Sequence, residues 1–346
     1  MKHYDNNLPA NTLGPGVSDD AVKNAIESSG YPLQLAVAKE LRKSFSLQEE
    51  WAFRDDDTGD IRTIDILATA FLPSSEPNPR IRPAVTLVIE CKQSELPYVF
   101  FLTDGLPLAH DFPVVAGLKS EEVVLVTDDN NSSWHLSPLL AILGYEAWQT
   151  DTFLATGAPR CVTLSKCVRK GKDLELSGSE PYQGLVFPIS KAVRSYQKSL
   201  TQVSTAYYFD CQIVIGLAVI DAPMVGVRLT DSGVEPALVP WVRILRHEPF
   251  GGQGRAACSR TVGIDVVHKS YLAAYVKKQL LEFSFNFASN ALEHQRELAE
   301  SRGFVSGMGA DSWSEIHRRL EPMSFGSRPR RLASALKKLL LLRGSR

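Results

Sequence analysis

Apolar and polar positions alternate along this chain in blocks that change period, and the changes mark the elements. From Tyr31 the spacing is helical: Leu33, Ala36, Val37, Leu41 and Phe45 form one stripe, predicting a helix that ends near Ser46. The pattern then becomes extended, predicting strands over Leu47–Arg54 and Ile61–Leu72 joined by the acidic turn Asp55-Asp56-Asp57-Thr58-Gly59-Asp60. That turn lacks the spacing of a calcium loop and is expected to be a solvated reversal. Ala84–Cys91 is apolar at every position except Thr86 and Glu90, the mark of a strand covered on both faces.

Further on the signal is less regular. The proline-rich stretch Pro73–Pro83 is a surface connection, and Tyr98–Leu102 is an apolar run of open type. From Asp104 to Pro181 only Val123–Thr127 and Cys161–Ser165 suggest strands. A helix is expected over Ile189–Ser204, strands over Ile213–Ile220 and Leu238–His247, and a glycine-rich loop at 250–255. That loop lacks the strand-loop-helix Lys-Ser/Thr context of a phosphate cradle. A long helix is predicted over Ser270–Ser301, with Tyr271, Tyr275, Leu280, Phe283 and Phe287 on its apolar side. The organisation expected is an arm at 1–29, a first core part at 30–103, an insertion at 104–187, the remaining core at 188–301 and a basic tail at 302–346.

Composition narrows the class. A 44% hydrophobic share with 22% charged residues fits an ordinary globular protein. There is no run of about 18 apolar residues and no secretory pattern, so a cytoplasmic protein without a membrane span is expected. The five cysteines make no C-x-x-C pair and are expected to be reduced thiols. Residues 1–100 hold 10 Lys/Arg against 15 Asp/Glu, whereas residues 255–346 hold 16 against 8, which inclines the C-terminal part toward a polyanion. Within it, Arg328, Arg330, Arg331, Lys337 and Lys338 are candidate nucleic-acid contacts, with a solvated helix as the equal alternative.

The chemistry concentrates where two strands carry charge. Asp65 is expected to share a face with Thr63 and Leu67, with Ile64 and Ile66 turned away. The run Leu87-Val88-Ile89 leads into Glu90-Cys91-Lys92, where Glu90 and Lys92 share a face. Charges at the ends of buried strands need partners or a metal. Mg2+ accepts one or two carboxylates and completes its octahedron with water and phosphate, so Asp65 and Glu90 are candidate ligands, with the Ile89 or Cys91 main-chain carbonyl as a further oxygen. Lys92 would orient or deprotonate the attacking water and neutralise developing charge. An ordinary salt bridge between strand-end acids and a lysine is the alternative.

A helix, then Arg62-Thr63-Ile64-Asp65-Ile66, a connection, and Leu87-Val88-Ile89-Glu90-Cys91-Lys92 resembles the PD-(D/E)xK nuclease superfamily, in its branch related to Mrr and the archaeal resolvases. The resemblance implies an α/β, restriction-endonuclease-like fold: a mixed central sheet flanked by helices, with an insertion and a helical C-terminal region. It implies Mg2+-dependent DNA endonuclease activity, with Mn2+ as a substitute, in defence or DNA processing. Asp65 and Glu90 would be ligands and Lys92 the catalytic lysine. Many relatives carry a glutamate near the position of Gln34, a poorer ligand, which implies either two carboxylates with Gln34 in a supporting role or a weakened metal affinity. Glu40 is turned about 240° from it on the helical wheel. A catalytically silent nuclease fold acting as a nucleic-acid-binding or sensor module is the rival expectation, an RNA-directed or structure-specific nuclease a third. Cutting both strands of a duplex would call for a homodimer, and any partner subunit is left open.

Overall fold

The computed structural model describes residues 6–8, 10–74, 79–104, 112–127, 134–145, 153–154, 157–200, 207–250, 258–305 and 320. It is a mixed α/β structure built on one large sheet. The strands are β1 (Ser46–Arg54), β2 (Ile61–Phe71), β3 (Ile81–Gln93), β4 (Tyr98–Leu102), β5 (Val114–Ala116), β6 (Glu122–Thr127), β7 (Trp134–Pro138), β8 (Arg160–Lys170), β9 (Asp173–Ser177), β10 (Phe209–Asp221), β11 (Met224–Thr230), β12 (Gly233–Leu238), β13 (Trp241–Phe250), β14 (Cys258–His268) and β15 (Arg302–Val305). The helices are α1 (Asp19–Ser28), α2 (Tyr31–Leu41), α3 (Leu139–Ile142), α4 (Ser179–Pro181), α5 (Phe187–Ser199), α6 (Leu272–Tyr275), α7 (Leu281–Glu293) and α8 (Gln295–Glu300).

Twelve strands form the main sheet, in the order β1-β2-β3-β10-β14-β13-β8-β4-β11-β12, with β5 on β10 and β9 on β8. Its axis is the parallel pair β3 and β10, in register from Ile81↔Phe209 to Gln93↔Asp221. Both strands are covered on two faces, which is why their sequences are apolar at successive rather than alternate positions. On one face lie α2 and α7, which bury Leu33, Val37, Phe283 and Phe287 against Val85, Leu87 and Ile89. On the other lies α5, which buries Ile189, Ala192 and Val193 against Val88, Val214 and Ala218. A small second sheet, β15-β6-β7, packs its Val123 and Leu125 into the first of these cores.

Several expectations need correction. The 1–29 arm contains α1, whose N-terminus is capped by Ser18 accepting the Ala21 N–H at 3.1 Å, with Asp19 and Asp20 in the first turn. It buries none of its residues, so no apolar stripe announces it. Helix α2 stops at Leu41, and the chain turns back through Phe45, whose N–H reaches the Leu41 carbonyl at 2.9 Å before β1 begins. The acidic turn is no free reversal. The Asp55 carboxylate is 1% exposed and takes Arg62 at 2.6 Å and Lys191 of α5 at 2.7 Å. The Lys191 hydrogen bond leads in holding Asp55 down to about 2.

Tyr98–Leu102 is a strand, β4, and the 104–187 stretch supplies β5 and β8 to the main sheet as well as the small β6-β7 hairpin. The long C-terminal helix is interrupted. A π turn at Val276–Leu280 and a break at His294 separate α6, α7 and α8. The π turn re-phases the apolar stripe, and Tyr275, Leu280, Phe283 and Phe287 are all buried. The glycine loop at 251–257 and all but Leu320 of the 306–346 tail lie outside the described residues.

Gly216 of β10 sets how closely α5 approaches: a β-carbon there would lie 2.5 Å from Cγ2 of Ile189. Ile189 is fully buried and stiff at χ1. Gly216→Ala should therefore cost about 1–3 kcal/mol in urea unfolding, as overpacking does. Adding Ile189→Ala should make the pair less than additive; full additivity would show that the two groups do not meet.

Candidate active site

The site forms where two strands part. The β2–β3 ladder is antiparallel from Phe71↔Ala84 to Ile66↔Ile89, where its regular pairing stops. The next step would set Asp65 opposite Glu90. Instead Asp65 Oδ2 accepts the Cys91 main-chain N–H at 2.7 Å. A side-chain oxygen thus does what a neighbouring carbonyl would otherwise do for a buried donor.

Strict alternation fails at the same point. Ile64 packs with Leu67 in the core under α5, whereas Ile66 packs with Ala68 on the α2 side. Ile64 and Ile66 therefore lie on opposite faces, not on one face as expected. On β1 the same crossing occurs between Leu47, on the α2 side, and Trp51 and Phe53, on the α5 side. Glu50 lies between them with φ of 51°, in the left-handed region.

On β3 the expected pairing of faces holds. Lys92 Nζ donates to Glu90 Oε1 at 2.6 Å, and Glu90 is 8% exposed. Across the parallel ladder their partners on β10 are Ala218 and Ile220, which offer no charge. A β-carbon on Gly184, in the π turn at Tyr182–Val186 that leads into α5, would sit 4.0 Å from Lys92 Cε. The turn before α5 therefore borders the lysine. The Cys91 thiol is buried and pushed up by burial, so Cys91 contributes main-chain atoms only.

The electrostatics follow from burial. Glu90 is raised to about 7, by desolvation first and then by the charge of Asp65, with Lys92 opposing. Asp65 is raised as well, by desolvation above all; the Cys91 N–H and Lys92 act against this and Glu50 adds to it. No hydrogen bond among the described residues engages Glu90 Oε2 or Asp65 Oδ1, and neither atom is sealed from solvent. Two largely buried carboxylates with spare oxygens suit a hard divalent cation that keeps most of its waters. Among the described residues, no three His, Cys, Asp or Glu side chains converge into a ready-made metal group. The fit is therefore to two carboxylates, helped by a main-chain carbonyl, rather than to an all-protein cage.

Gln34 is buried at the site's edge. Its Nε2 donates to Glu50 Oε1 at 2.9 Å and to the Asp65 carbonyl at 3.1 Å. Glu40 faces elsewhere and pairs with Lys43. His247 bonds Thr261 at 3.1 Å and lies several residues back along the ladder from Glu90. His268 lies level with Lys92 in register, two strands across through Ile220, and bonds Ser270 at 2.7 Å. His110 and Asp111 lie outside the described residues, as do Arg328, Arg330, Arg331, Lys337 and Lys338. The residue that sequence reasoning missed is Glu50. An acid in an alternating strand carries no mark of a left-handed backbone.

The raised Glu90 has a thermodynamic consequence. Its ordinary value is 4.5 and its folded value about 7, so between these pH values the folded state binds the extra proton. Stability is fully present below about pH 4.5 and declines as pH rises through 7, by on the order of 3 kcal/mol. Glu90→Gln should flatten that slope and exceed the parent in stability at pH 8 in chelator-treated buffer. Urea unfolding from pH 4.5 to 8 checks it; equal slopes in the two proteins would refute a buried, raised Glu90.

No helix among the described residues is long and apolar enough to cross a membrane. The chain matches no family model, no curated protein and no solved structure.

Proposed function

We propose that this protein is a Mg2+-dependent DNA endonuclease with a restriction-endonuclease-like core, centred on Asp65, Glu90 and Lys92. The observation that carries the reading is the pairing of two carboxylates on adjacent, diverging strands, each with an oxygen that takes no donor among the described residues, with a lysine beside Glu90. Both donor-free oxygens are open to solvent, so a hydrated divalent cation can reach them.

In this reading Asp65 and Glu90 hold the cation, and the Cys91 carbonyl is the third protein oxygen. The cation supplies positive charge for the phosphoryl oxygens as negative charge develops on them. Lys92 exchanges Glu90 for the substrate, orients the attacking water and neutralises charge on the phosphate. Water adds to phosphorus, the ester P–O bond breaks, and the proton ends on the leaving oxygen or in solvent. A cytoplasmic setting, a homodimer that cuts both strands, and a role in defence or DNA processing belong to the same proposal.

A second reading is favoured by one observation: the helix position that would carry an acid is Gln34, spent on Glu50 and the Asp65 main chain. A silent nuclease fold that binds nucleic acid would show this. Cleavage of plasmid and single-stranded DNA with Mg2+ or Mn2+ separates the two. Asp65→Ala and Lys92→Ala should each lower cleavage at least about a hundredfold. Activity surviving in both variants would sink the assignment. DNA binding without any cleavage would establish the silent reading.

A further inference from the structure

Glu50 is not used by the nuclease reading, yet three elements meet on it. The register pairs Glu49↔Ile66 and Trp51↔Ile64 straddle it, so it lies directly opposite Asp65. Its φ of 51° is one that side-chain-bearing residues rarely adopt, and it persists only where the surroundings hold it. Gln34 of α2 does the holding: one amide nitrogen bonds the Glu50 carboxylate and the Asp65 carbonyl. Helix α2, β1 and β2 are thus joined at one point, next to the carboxylate that takes the Cys91 N–H.

We infer that Gln34 and Glu50 are positioning residues of the Asp65–Glu90 site: Gln34 fixes Glu50 against the Asp65 strand, and Glu50 adds a third negative charge that strengthens divalent-cation binding from outside the direct ligands. The inference rests on the nuclease reading of Asp65 and Glu90. Its physical basis is the two-carboxylate ligand set, which leaves the cation most of its waters. An outer carboxylate that accepts hydrogen bonds from those waters raises affinity without touching the ion. It also explains why a glutamate occupies a backbone position where glycine or asparagine is less strained. Helix α2 thus supplies the amide that holds a carboxylate carried by β1.

The test is Mn2+ binding to the full chain by calorimetry, without DNA, so that it does not depend on turnover. Asp65→Ala should abolish uptake. Glu50→Gln keeps an oxygen to accept from Gln34 but removes the charge; Mn2+ affinity should fall about tenfold with the unfolding midpoint little changed. Gln34→Ala should also weaken binding, and adding Glu50→Gln to it should cost less than Glu50→Gln alone. If Glu50→Gln fails to fold, Glu50→Gly, which tolerates this φ, carries the same expectation. Parental affinity in the Glu50 variant, with uptake lost in Asp65→Ala, would overturn this inference and leave the nuclease reading standing. A parent chain that takes up no Mn2+ would overturn both.

Discussion

The β3–β10 ladder is the constraint on which the rest depends. Two parallel strands in register over their whole length, with helices on both faces, leave no side along which a charged group can reach water. Side chains there are apolar almost throughout, and polarity is admitted only in matched sets. Thr86, Gln212 and Tyr196 form one such set: Gln212 Oε1 accepts from Thr86 at 2.7 Å and from Tyr196 at 2.9 Å. Charge appears on β3 only near its ends, where the covering layers thin. Glu90 and Lys92 are therefore confined to one end of the sheet by the same burial that makes the strand.

A second buried charge cluster shows what a purely structural solution looks like in this sheet. Arg243 and Asp265 face each other across β13 and β14 and are 2% and 0% exposed. The guanidinium makes a bidentate pair with the carboxylate at 2.7 and 2.9 Å. It also donates to the Phe153 and Leu154 carbonyls, and its carbon lies 4.1 Å from the Phe112 ring centroid. Tyr275 completes the carboxylate at 2.8 Å. Both Asp265 oxygens are thereby used. At Asp65 and Glu90 half of the carboxylate oxygens take no donor among the described residues, and burial raises both acids. One cluster is closed by protein donors, whereas the other keeps oxygens open to solvent, and on that contrast the proposed cation site rests.

Much of the architecture was legible because burial writes itself into local pattern. The β1–β2 hairpin, the doubly covered β3, the centre of β10 and the body of β13 are all visible as extended apolar segments, and α2 and α5 as helical stripes. Elements without a buried face left no such trace. Helix α1 buries nothing, so it reads as a polar arm. The re-phasing π turn after Tyr275 is invisible because an extra residue in one turn leaves the stripe nearly continuous. The membership of β5 and β8 in the main sheet depends on partners distant in sequence, which periodicity cannot supply.

The candidate site divides in the same way. The sequence by itself determined that Glu90 and Lys92 sit near the end of a strand and share a face, since side-chain direction along one strand is a local property; Asp65, expected at a strand end, lies in the middle of β2. Only the tertiary structure decided that β2 and β3 part at Asp65, that its carboxylate takes the Cys91 N–H, and that Gln34 reaches across to Glu50. It also decided that Ile64 and Ile66 fall on opposite faces. The hydrogen bonds among these groups join residues 16 to 31 positions apart, and a left-handed residue in β1 lies among them. A left-handed residue held by distant contacts costs local energy that no local pattern encodes, so it becomes visible only once the contacts that hold it are in place.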